Sequence, residues 1–563
     1  MRTGYIVLFL LSLSVTAFAQ KKRSAKKPVK KMVSKQAKPV IKTAAKDTVL
    51  KGATIEIVQS YKPEIKVSVK REATPLLPPV DTATANVNFN VPAQSLSFGY
   101  LALPLRPLAL SKDTAVDLFS NYLKLGGGNL ATLFFDAGIA ALQGKNYSTT
   151  IHLHHISQTG NLAHQQTSLS GLEANGAFTT SKHIWHAGLG VLNNAYRYYA
   201  FPGVVSAILP TGTKQNFTGV NVAVGLTNKN LADKVLYSPE FKASYYADIN
   251  KANETKASIR LPFMYTIDTN LSLNIGVAAA YASLFHSVLP VTRNSNMAQL
   301  FAGLLYHKGL FRLNATLAPT IGQQNMYLLP DVKLSAGIPN TQLTVFAGWN
   351  GLLAGNTYED LTARNPYLNN LYNLEQTHSN EVYGGIQTNV GNHISVNGKV
   401  SWQQYDNMPL MVNDTSYGDM RVFAVLYDKV NTLSLSGAIR YHIADVFALG
   451  FSAAYTSYNT TATKHAWHEP GIRIKADLMV RPLKPFVVTA YASVLDGLYA
   501  LGKNNTTVTM SSALDFGAGA EYTFIPRLSA FANVNNIFNN TYERWYGYRA
   551  YGFNIFGGLR LKF

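Results

Sequence analysis

Apolar and polar residues alternate in stretches of about ten residues along most of this chain. Along 394–403 the apolar residues occupy even positions and the polar ones odd positions, and 311–317 and 486–494 show the same period of two. A period of two is that of a β-strand with two different faces. One face suits lipid and the other a wet lumen, as in membrane β-barrels.

The connections between these stretches fall into two classes. Turns of three to five residues join one end, as in 337–340 and 390–393, whereas longer polar and aromatic-rich segments join the other. Outer-membrane barrels have short periplasmic turns and long extracellular loops. The predicted long loops are 199–214, 287–295, 352–378, 406–430, 459–468, 498–510 and 539–550.

Together, these patterns predict an all-β transmembrane barrel of about 22 antiparallel strands (20 to 24) over residues 117–563. The apolar run 421–428 is assigned to a loop to keep the alternation of long and short connections. The predicted strands are 117–125, 130–141, 147–156, 169–179, 184–198, 215–227, 239–249, 254–266, 271–285, 296–307, 310–321, 325–336, 341–351, 380–389, 394–405, 431–441, 446–458, 470–480, 486–497, 511–523, 528–538 and 551–563.

The chain ends on a strand that alternates to its last residue. Ile555, Leu559, Leu561 and Phe563 fall on one face, which we predict to be outward and apolar. Because lipid offers no partner to an unpaired strand edge, this strand is predicted to pair with the first, near 117–125. The glycines of "LGGGN" (125–129) predict either a tight turn or a strand close to another backbone.

The N-terminal part differs in composition. Residues 1–19 have a basic residue, an apolar core and an Ala-Phe-Ala cleavage site, the pattern of a secretory signal peptide. Residues 20–51 form a basic periplasmic arm that is predicted to be disordered, since it lacks hydrophobic periodicity. Residues 52–116 are predicted to be an extended segment, periplasmic or threaded into the lumen, with several prolines.

The composition excludes several kinds of chemistry. The chain has no cysteine, and only 14% of its residues are charged, against about 25% in soluble domains. No nucleotide-binding loop, serine nucleophile motif or zinc-protease motif occurs. His152 and His154 share a strand face, but we interpret them as polar lumen or rim residues rather than metal ligands. We therefore expect no enzyme, cofactor, metal or nucleic-acid partner.

A cluster of aromatic residues lies beside the outer end of the last strand. Its members are Tyr542, Trp545, Tyr546, Tyr548 and Tyr551. Aromatic rings favour the headgroup layer of a membrane, so a girdle is one prediction. A platform on which a ligand stacks is the alternative.

The segment 533–563 resembles the end of a TonB-dependent receptor barrel, with Asn536, Phe538, Tyr542 and Trp545 at the matching positions. Residues 122–142 and 464–482 resemble such barrels too. The resemblance implies a 22-stranded barrel in the outer membrane of a Gram-negative bacterium. The terminal Phe563 resembles the C-terminal signal that barrel-assembly machinery recognises.

The sequence departs from that family before the barrel, because 52–116 shows no plug-like alternation of strands and helices. Only 53–59 resembles a TonB-box. The lumen would then be closed by residues 52–116, by a partner, or by loops that fold inward. The resemblance implies uptake of an unknown solute, with TonB or a plug-supplying protein as partner. The alternative is a plugless barrel that acts as a scaffold or partner subunit of an outer-membrane assembly.

Overall fold

A computed structural model describes residues 121–201, 212–286, 291–370, 374–415 and 420–563. The predicted signal peptide (1–19), basic arm (20–51) and extended segment (52–116) lie outside these residues. Within them, no helix is long and apolar enough to cross a membrane.

The described chain is almost entirely β-strand, with a single α-helix, α1 (Tyr358–Arg364), in the part that the structure describes. The strands are β1 (Tyr122–Gly128), β2 (Leu133–Gln143), β3 (Tyr147–Thr159), β4 (Gln166–Thr179), β5 (His183–Arg197), β6 (Lys214–Asn228), β7 (Val235–Tyr237), β8 (Glu240–Asp248), β9 (Ala252–Thr266), β10 (Leu271–His286), β11 (Val291–Lys308), β12 (Phe311–Ile321), β13 (Met326–Gly337), β14 (Leu343–Gly355), β15 (Leu368–Asn370), β16 (Gln376–Val390), β17 (Ile394–Asn413), β18 (Phe423–Ile443), β19 (Phe447–Thr460), β20 (Ile472–Leu483), β21 (Phe486–Asp496), β22 (Tyr499–Leu501), β23 (Thr507–Thr509), β24 (Ala513–Ile525), β25 (Leu528–Asn535), β26 (Glu543–Trp545), β27 (Tyr548–Arg549) and β28 (Asn554–Lys562).

Twenty-two of these strands form a closed antiparallel barrel, which confirms the predicted fold. They are β1–β6, β8–β14, β16–β21, β24, β25 and β28, each paired with the next. The last strand closes the barrel on the first, with Tyr122 opposite Lys562 and Gly128 opposite Phe556. Closure leaves no barrel strand with an unpaired edge in lipid.

Side chains alternate between the two faces of the wall as the sequence predicts. On β18, Leu433 and Leu435 are 55% and 59% exposed on the outer face. The alternate residues Ser434 and Ser436 face the lumen. The Ser434 hydroxyl lies 2.9 Å from that of Thr456 on β19. An exposed apolar belt is stable only against lipid, so the wall has the surface of a membrane barrel.

The glycine run near the chain start lies in the closing strand pair. Gly126 is opposite Gly558, and a Cβ on Gly558 would overlap the carbonyl oxygen of Leu125. Of the two predictions for 125–129, the strand close to another backbone is therefore the one that the structure supports at Gly126.

The assignment of 421–428 to a loop is wrong. Phe423 to Asp428 belong to β18 and pair with Met408 to Asn413 of β17, beyond a register shift between Tyr405 and Met408. Asn407 lies in that shift with φ of 60°. The count of 22 survives because the run extends an existing hairpin. Phe423, Ala424 and Val425 pack into clusters formed with other connections, whereas Leu426 is 41% exposed.

The two ends of the barrel differ as predicted. At one end most connections are short, such as 391–393 and 526–527, although 229–239 is longer and contains β7. We call this the short-turn end. The long-loop end carries the large connections 198–213, 356–375, 461–471, 497–512 and 536–553. The predicted loop 287–295 is shorter, because β11 begins at Val291.

Candidate functional site

Several connections at the long-loop end pack together inside the barrel mouth. We call the buried residues where they meet the loop cluster. Its strand members include Phe217 and Tyr246, which point into the lumen from β6 and β8. Its members are Tyr198, Tyr199, Ala200, Phe217, Tyr246, Ala252, Leu284, Tyr358, Leu361, Tyr367, Leu368, Leu374, Met411, Val422, Phe423, Trp545 and Tyr548.

Helix α1 begins against the lumen face of β9. Thr357 caps it by accepting a hydrogen bond from the backbone N–H of Asp360. The buried carboxylate of Glu254 accepts two more, from the N–H groups of Tyr358 (2.7 Å) and Glu359 (3.0 Å). The first turn of a helix leaves its N–H groups unpaired, and a carboxylate there also interacts favourably with the helix dipole. Glu254 therefore holds the start of α1 on the wall.

Side chains of α1 add three contacts to the same wall. The Tyr358 hydroxyl donates to Asp248 (2.6 Å), and Lys256 forms an ion pair with Glu359 (2.7 Å). The hydroxyls of Tyr246 and Thr362 lie 3.0 Å apart. Together with the Glu254 contacts, these bonds fix the helix to β8 and β9.

The end of α1 is tied to the far side of the barrel. Arg364 donates to Glu469 (2.7 Å) in the connection 461–471, and Glu469 accepts from Arg473 of β20 (3.0 Å). In the order of 22 strands, β20 stands ten places from β9, almost directly opposite. The connection 356–375 therefore crosses the mouth of the lumen.

Three tyrosines from three different connections meet at the centre of the loop cluster. The rings of Tyr367 and Tyr548 stack with centroids 3.5 Å apart, and Tyr199 meets both edge-on, at 6.1 and 5.0 Å. Aromatic pairs of this geometry add stabilisation beyond the area that they bury. The hydroxyls are bonded as well: Tyr199 donates to the carbonyl of Arg549 and Tyr548 to that of Arg421.

His468 joins the connection 536–553 to the extended β17–β18 hairpin. It is fully buried, its Nδ1 lies 2.8 Å from the carbonyl oxygen of Met411, and its own carbonyl accepts from Arg544 (2.6 Å). The backbone N–H of Tyr546 donates to Nε2 (3.3 Å). Burial lowers the pKa of His468 to about 4, so the imidazole is neutral at pH 7 and Nε2 can accept this bond.

A cavity of about 300 Å³ lies beside this connection. Six of its lining residues are aromatic and two are charged, Asp515 and Arg544. Its volume is at the lower end of the range for small-molecule pockets. The lining residues are Gln158, Tyr199, Tyr367, Asp515, Asn535, Asn536, Tyr542, Arg544, Trp545, Tyr548, Ala550, Tyr551, Gly552 and Asn554.

Four of the five aromatic residues singled out in the sequence line this cavity: Tyr542, Trp545, Tyr548 and Tyr551. Trp545 and Tyr548 are also buried in the loop cluster. The fifth, Tyr546, packs edge-on against Phe201 with centroids 5.5 Å apart. The structure thus places these rings against other loops, which differs from an outward-facing girdle. The ligand platform stays a prediction.

The C-terminal residues lie where the alternation puts them. Ile555, Leu559, Leu561 and Phe563 are exposed on the outer face of β28 or just after it, whereas Asn554 and Phe556 are buried on the lumen side. Their role as an assembly signal stays a prediction.

Other residues of the site carry little signal in the sequence. Tyr199, Tyr367 and His468 lie in long connections, and only the folded chain brings them together. His152 lies 2.9 Å from Asp136 on the adjacent strand, a partner that the sequence does not reveal. Across the described ranges, no group of three or more potential ligands could hold a metal ion.

No family model matches this chain, and no curated protein matches it. Solved structures match its fold. The FrpB iron transporter from Neisseria meningitidis is similar with a TM-score of 0.62 and 12% identity, over 79% of this chain and 81% of the transporter.

Two further barrels are similar over 79% of this chain. The pyoverdine outer-membrane receptor FpvA from Pseudomonas aeruginosa PAO1 has a TM-score of 0.60 and 12% identity, with 78% of it covered. The ferric-catecholate import receptor Fiu from E. coli K12 has a TM-score of 0.60 and 9% identity, with 82% covered. At such identities the likeness shows the fold alone. The neighbours are TonB-dependent receptor barrels, so the resemblance stated from the sequence is confirmed for the barrel fold.

Proposed function

We propose that this chain is an outer-membrane barrel for the uptake of a solute, with its long-loop end facing the outside of the cell. The observation that carries the proposal is a barrel of 22 strands whose mouth is crossed by its own folded connections. A barrel of this size encloses a lumen far wider than a small solute needs. Closing it with loops protects the cell from leakage between uptake events.

Uptake requires the loop cluster to move. The connection 356–375 is held at both ends by polar contacts, Glu254 with α1 and Arg364 with Glu469, and such contacts can exchange with water. Between them lies the stack of Tyr367 on Tyr548. Separation of these two rings is the step that opens the mouth in our proposal.

Energy coupling belongs to the same proposal. The TonB-box-like stretch 53–59 supplies the contact for TonB, and residues 52–116, or a partner, supply the plug. Barrel-assembly machinery inserts the chain through its C-terminal strand, which ends on Phe563. The similar structures include an iron transporter and a copper transporter, which supports import as the activity. The solute of this chain is not inferred from them.

A scaffold or partner subunit of an outer-membrane assembly is the second candidate. The observation that favours it is the loop cluster itself, because a mouth filled by packed aromatic residues resembles a permanent closure. In that case the loops would never open.

The proposal is tested in cells that express either the intact chain or a variant that lacks residues 52–62. Solute depletion from a defined mixture is measured by mass spectrometry, with the deletion of 32–42 in the basic arm as the matched control. We expect the first deletion to abolish depletion and the second to leave it unchanged. Equal depletion by both variants would reject TonB-driven uptake. No depletion by the intact chain, with a stoichiometric partner co-purifying, would favour the scaffold.

A further inference from the structure

The cavity beside the connection 536–553 has walls of two kinds. One is aromatic: Tyr199, Tyr367, Tyr542, Trp545, Tyr548 and Tyr551 come from three different connections and surround about 300 Å³. The other is polar and belongs to the lumen faces of the strands, with Asp515 on β24 and the amides of Gln158, Asn535 and Asn554.

The amides are already engaged with one another. Asn554 accepts from Gln158 (3.2 Å) and Asn535 (3.2 Å), and it donates to Thr132 (2.9 Å). The hydroxyls of Tyr199, Tyr548 and Tyr551 also have protein partners. Any group of the polar wall that is still able to bind a ligand must therefore be sought outside these amides and hydroxyls.

Asp515 is such a group. The carboxylate accepts from the Tyr491 hydroxyl at Oδ2 (3.4 Å) and also interacts with the Tyr542 hydroxyl, while its buried Oδ1 meets no donor in good hydrogen-bond geometry among the described residues. Both interaction partners are neutral, so the negative charge itself is not balanced. No ion pair found in the described part of the chain includes Asp515. A buried carboxylate oxygen without a partner is costly, and a ligand that donates to it or carries positive charge removes the cost.

The positively charged residue of the cavity wall, Arg544, already has interaction partners within the protein. The Arg544 guanidinium lies 4.4 Å from the centre of the Trp545 ring and donates to the carbonyl of His468. The carboxylate of Glu469, which pairs with Arg364 and Arg473, also attracts it. Arg544 is thus balanced on its far side, whereas Asp515 is not.

We propose that this cavity binds a small organic cation, an ammonium or quaternary ammonium group that sits among the tyrosine rings and faces Asp515. Aromatic faces attract such cations, and cages of this composition recognise quaternary ammonium ligands. The inference rests on the proposed function for the role of the ligand as the transported solute. The site itself is defined by Asp515, Tyr542, Trp545 and Tyr551.

The test uses purified full-length protein in lipid nanodiscs and isothermal titration calorimetry. The probes are choline and 3,3-dimethylbutan-1-ol, which has the same shape without the charge. We expect choline to bind at least about tenfold more tightly, since a buried charge interaction accounts for the difference. Equal binding of the two compounds, or binding of neither, would overturn the proposal.

Asp515→Asn removes the charge at nearly constant shape, and Asp477→Asn is the matched control, a carboxylate on β20 outside the cavity. We expect Asp515→Asn to weaken choline binding at least about tenfold and Asp477→Asn to leave it unchanged. Unheated gel mobility verifies that both barrels are folded. Unchanged binding in a folded Asp515→Asn protein would contradict the assignment.

The proposed binding site and the proposed transport function can be rejected independently of each other. Choline binding without choline uptake would reject the cation as the transported solute and leave the site in place, whereas absence of uptake of any solute in the defined mixture would reject the proposed transport function. Uptake of other solutes by a protein that binds no choline would reject the site alone. Binding of maltose, but not of choline, would replace the cation with a neutral saccharide and overturn the inference.

Discussion

The barrel wall and the loop cluster bury opposite kinds of side chain. The wall exposes apolar residues such as Leu435 to lipid and turns polar ones such as Ser436 inward. The loop cluster buries aromatic residues from distant parts of the chain and pairs their hydroxyls with backbone carbonyls. The wall is therefore organised by the membrane, and the cluster by contacts within the protein, as in the core of a soluble domain.

Low pH should destabilise the loop cluster and not the wall, and this is the largest difference that we expect between the two regions. The pKa of His468 is lowered to about 4 in the folded protein, against about 6.5 when it is exposed. An opened loop therefore binds the proton first, so stability is fully present above pH 6.5 and is lost as the pH falls towards 4. The free energy that keeps the loop cluster closed should fall by about 3 kcal/mol over this range. Amide protection factors in 461–471 and 536–553, which correct for the slower intrinsic exchange in acid, should fall as the pH is lowered from 6.5 towards 4, whereas those of the wall should not.

His468→Asn is the control, because it keeps a polar side chain and removes the titration. The protection factors of these segments should depend less on pH in this variant than in the natural protein. Equal pH dependence in the two proteins would remove His468 as the cause.

A charge on the outer face breaks the wall. Ile275 is 57% exposed towards lipid, and its neighbour Asn274 faces the lumen. We expect Ile275→Arg to destabilise the barrel by about 2–3 kcal/mol, because lipid cannot solvate the guanidinium. Asn274→Arg should cost less than about 1 kcal/mol, since the lumen is wet. Urea unfolding in lipid vesicles measures both, and equal costs would contradict the assigned faces.

The loss of one carboxylate should loosen the cluster and spare the wall. Glu254→Ala removes both acceptors at the start of α1 and should weaken its docking by about 2 kcal/mol. Glu254→Gln keeps one acceptor oxygen and should cost less. Hydrogen exchange of 357–368 measures the change, and an unaltered rate in Glu254→Ala would show that the helix is held by other contacts.

The smallest expected effect is on a single hydroxyl. Tyr548→Phe keeps the ring stack with Tyr367 and loses the bond to the Arg421 carbonyl, at a cost of about 1 kcal/mol. Tyr546→Phe is the control, because that ring is only partly buried. A local exchange experiment that finds no difference between them would mean that the ring alone stabilises the contact.

The wall could be predicted from the sequence because its rule is local. All 22 predicted strands overlap the observed barrel strands, since alternation at i and i+2 defines both the strand and its faces. The run 421–428 was the exception. It is continuously apolar from Val422 to Tyr427 rather than alternating, and Val422 and Phe423 are buried in the loop cluster.

The site could be predicted only in part. The aromatic run at 542–551 is dense enough to stand out in the sequence, and four of its rings line the cavity. The partners Tyr199 and Tyr367 are separated from it by nearly 350 and 180 positions, and Asp515 is one carboxylate among many. Their proximity depends on barrel closure and loop packing, which no local pattern encodes.

The central claim is that the loops close the outer mouth of the barrel. The chain has no cysteine, so single cysteines can be labelled on intact cells with a membrane-impermeant maleimide without background. The sites are the buried Thr362 on α1, the exposed Lys503 at the long-loop end and the exposed Lys308 at the short-turn end. We predict rapid labelling of Lys503→Cys and none of Thr362→Cys or Lys308→Cys. Labelling of Thr362→Cys as fast as Lys503→Cys would contradict the closed mouth.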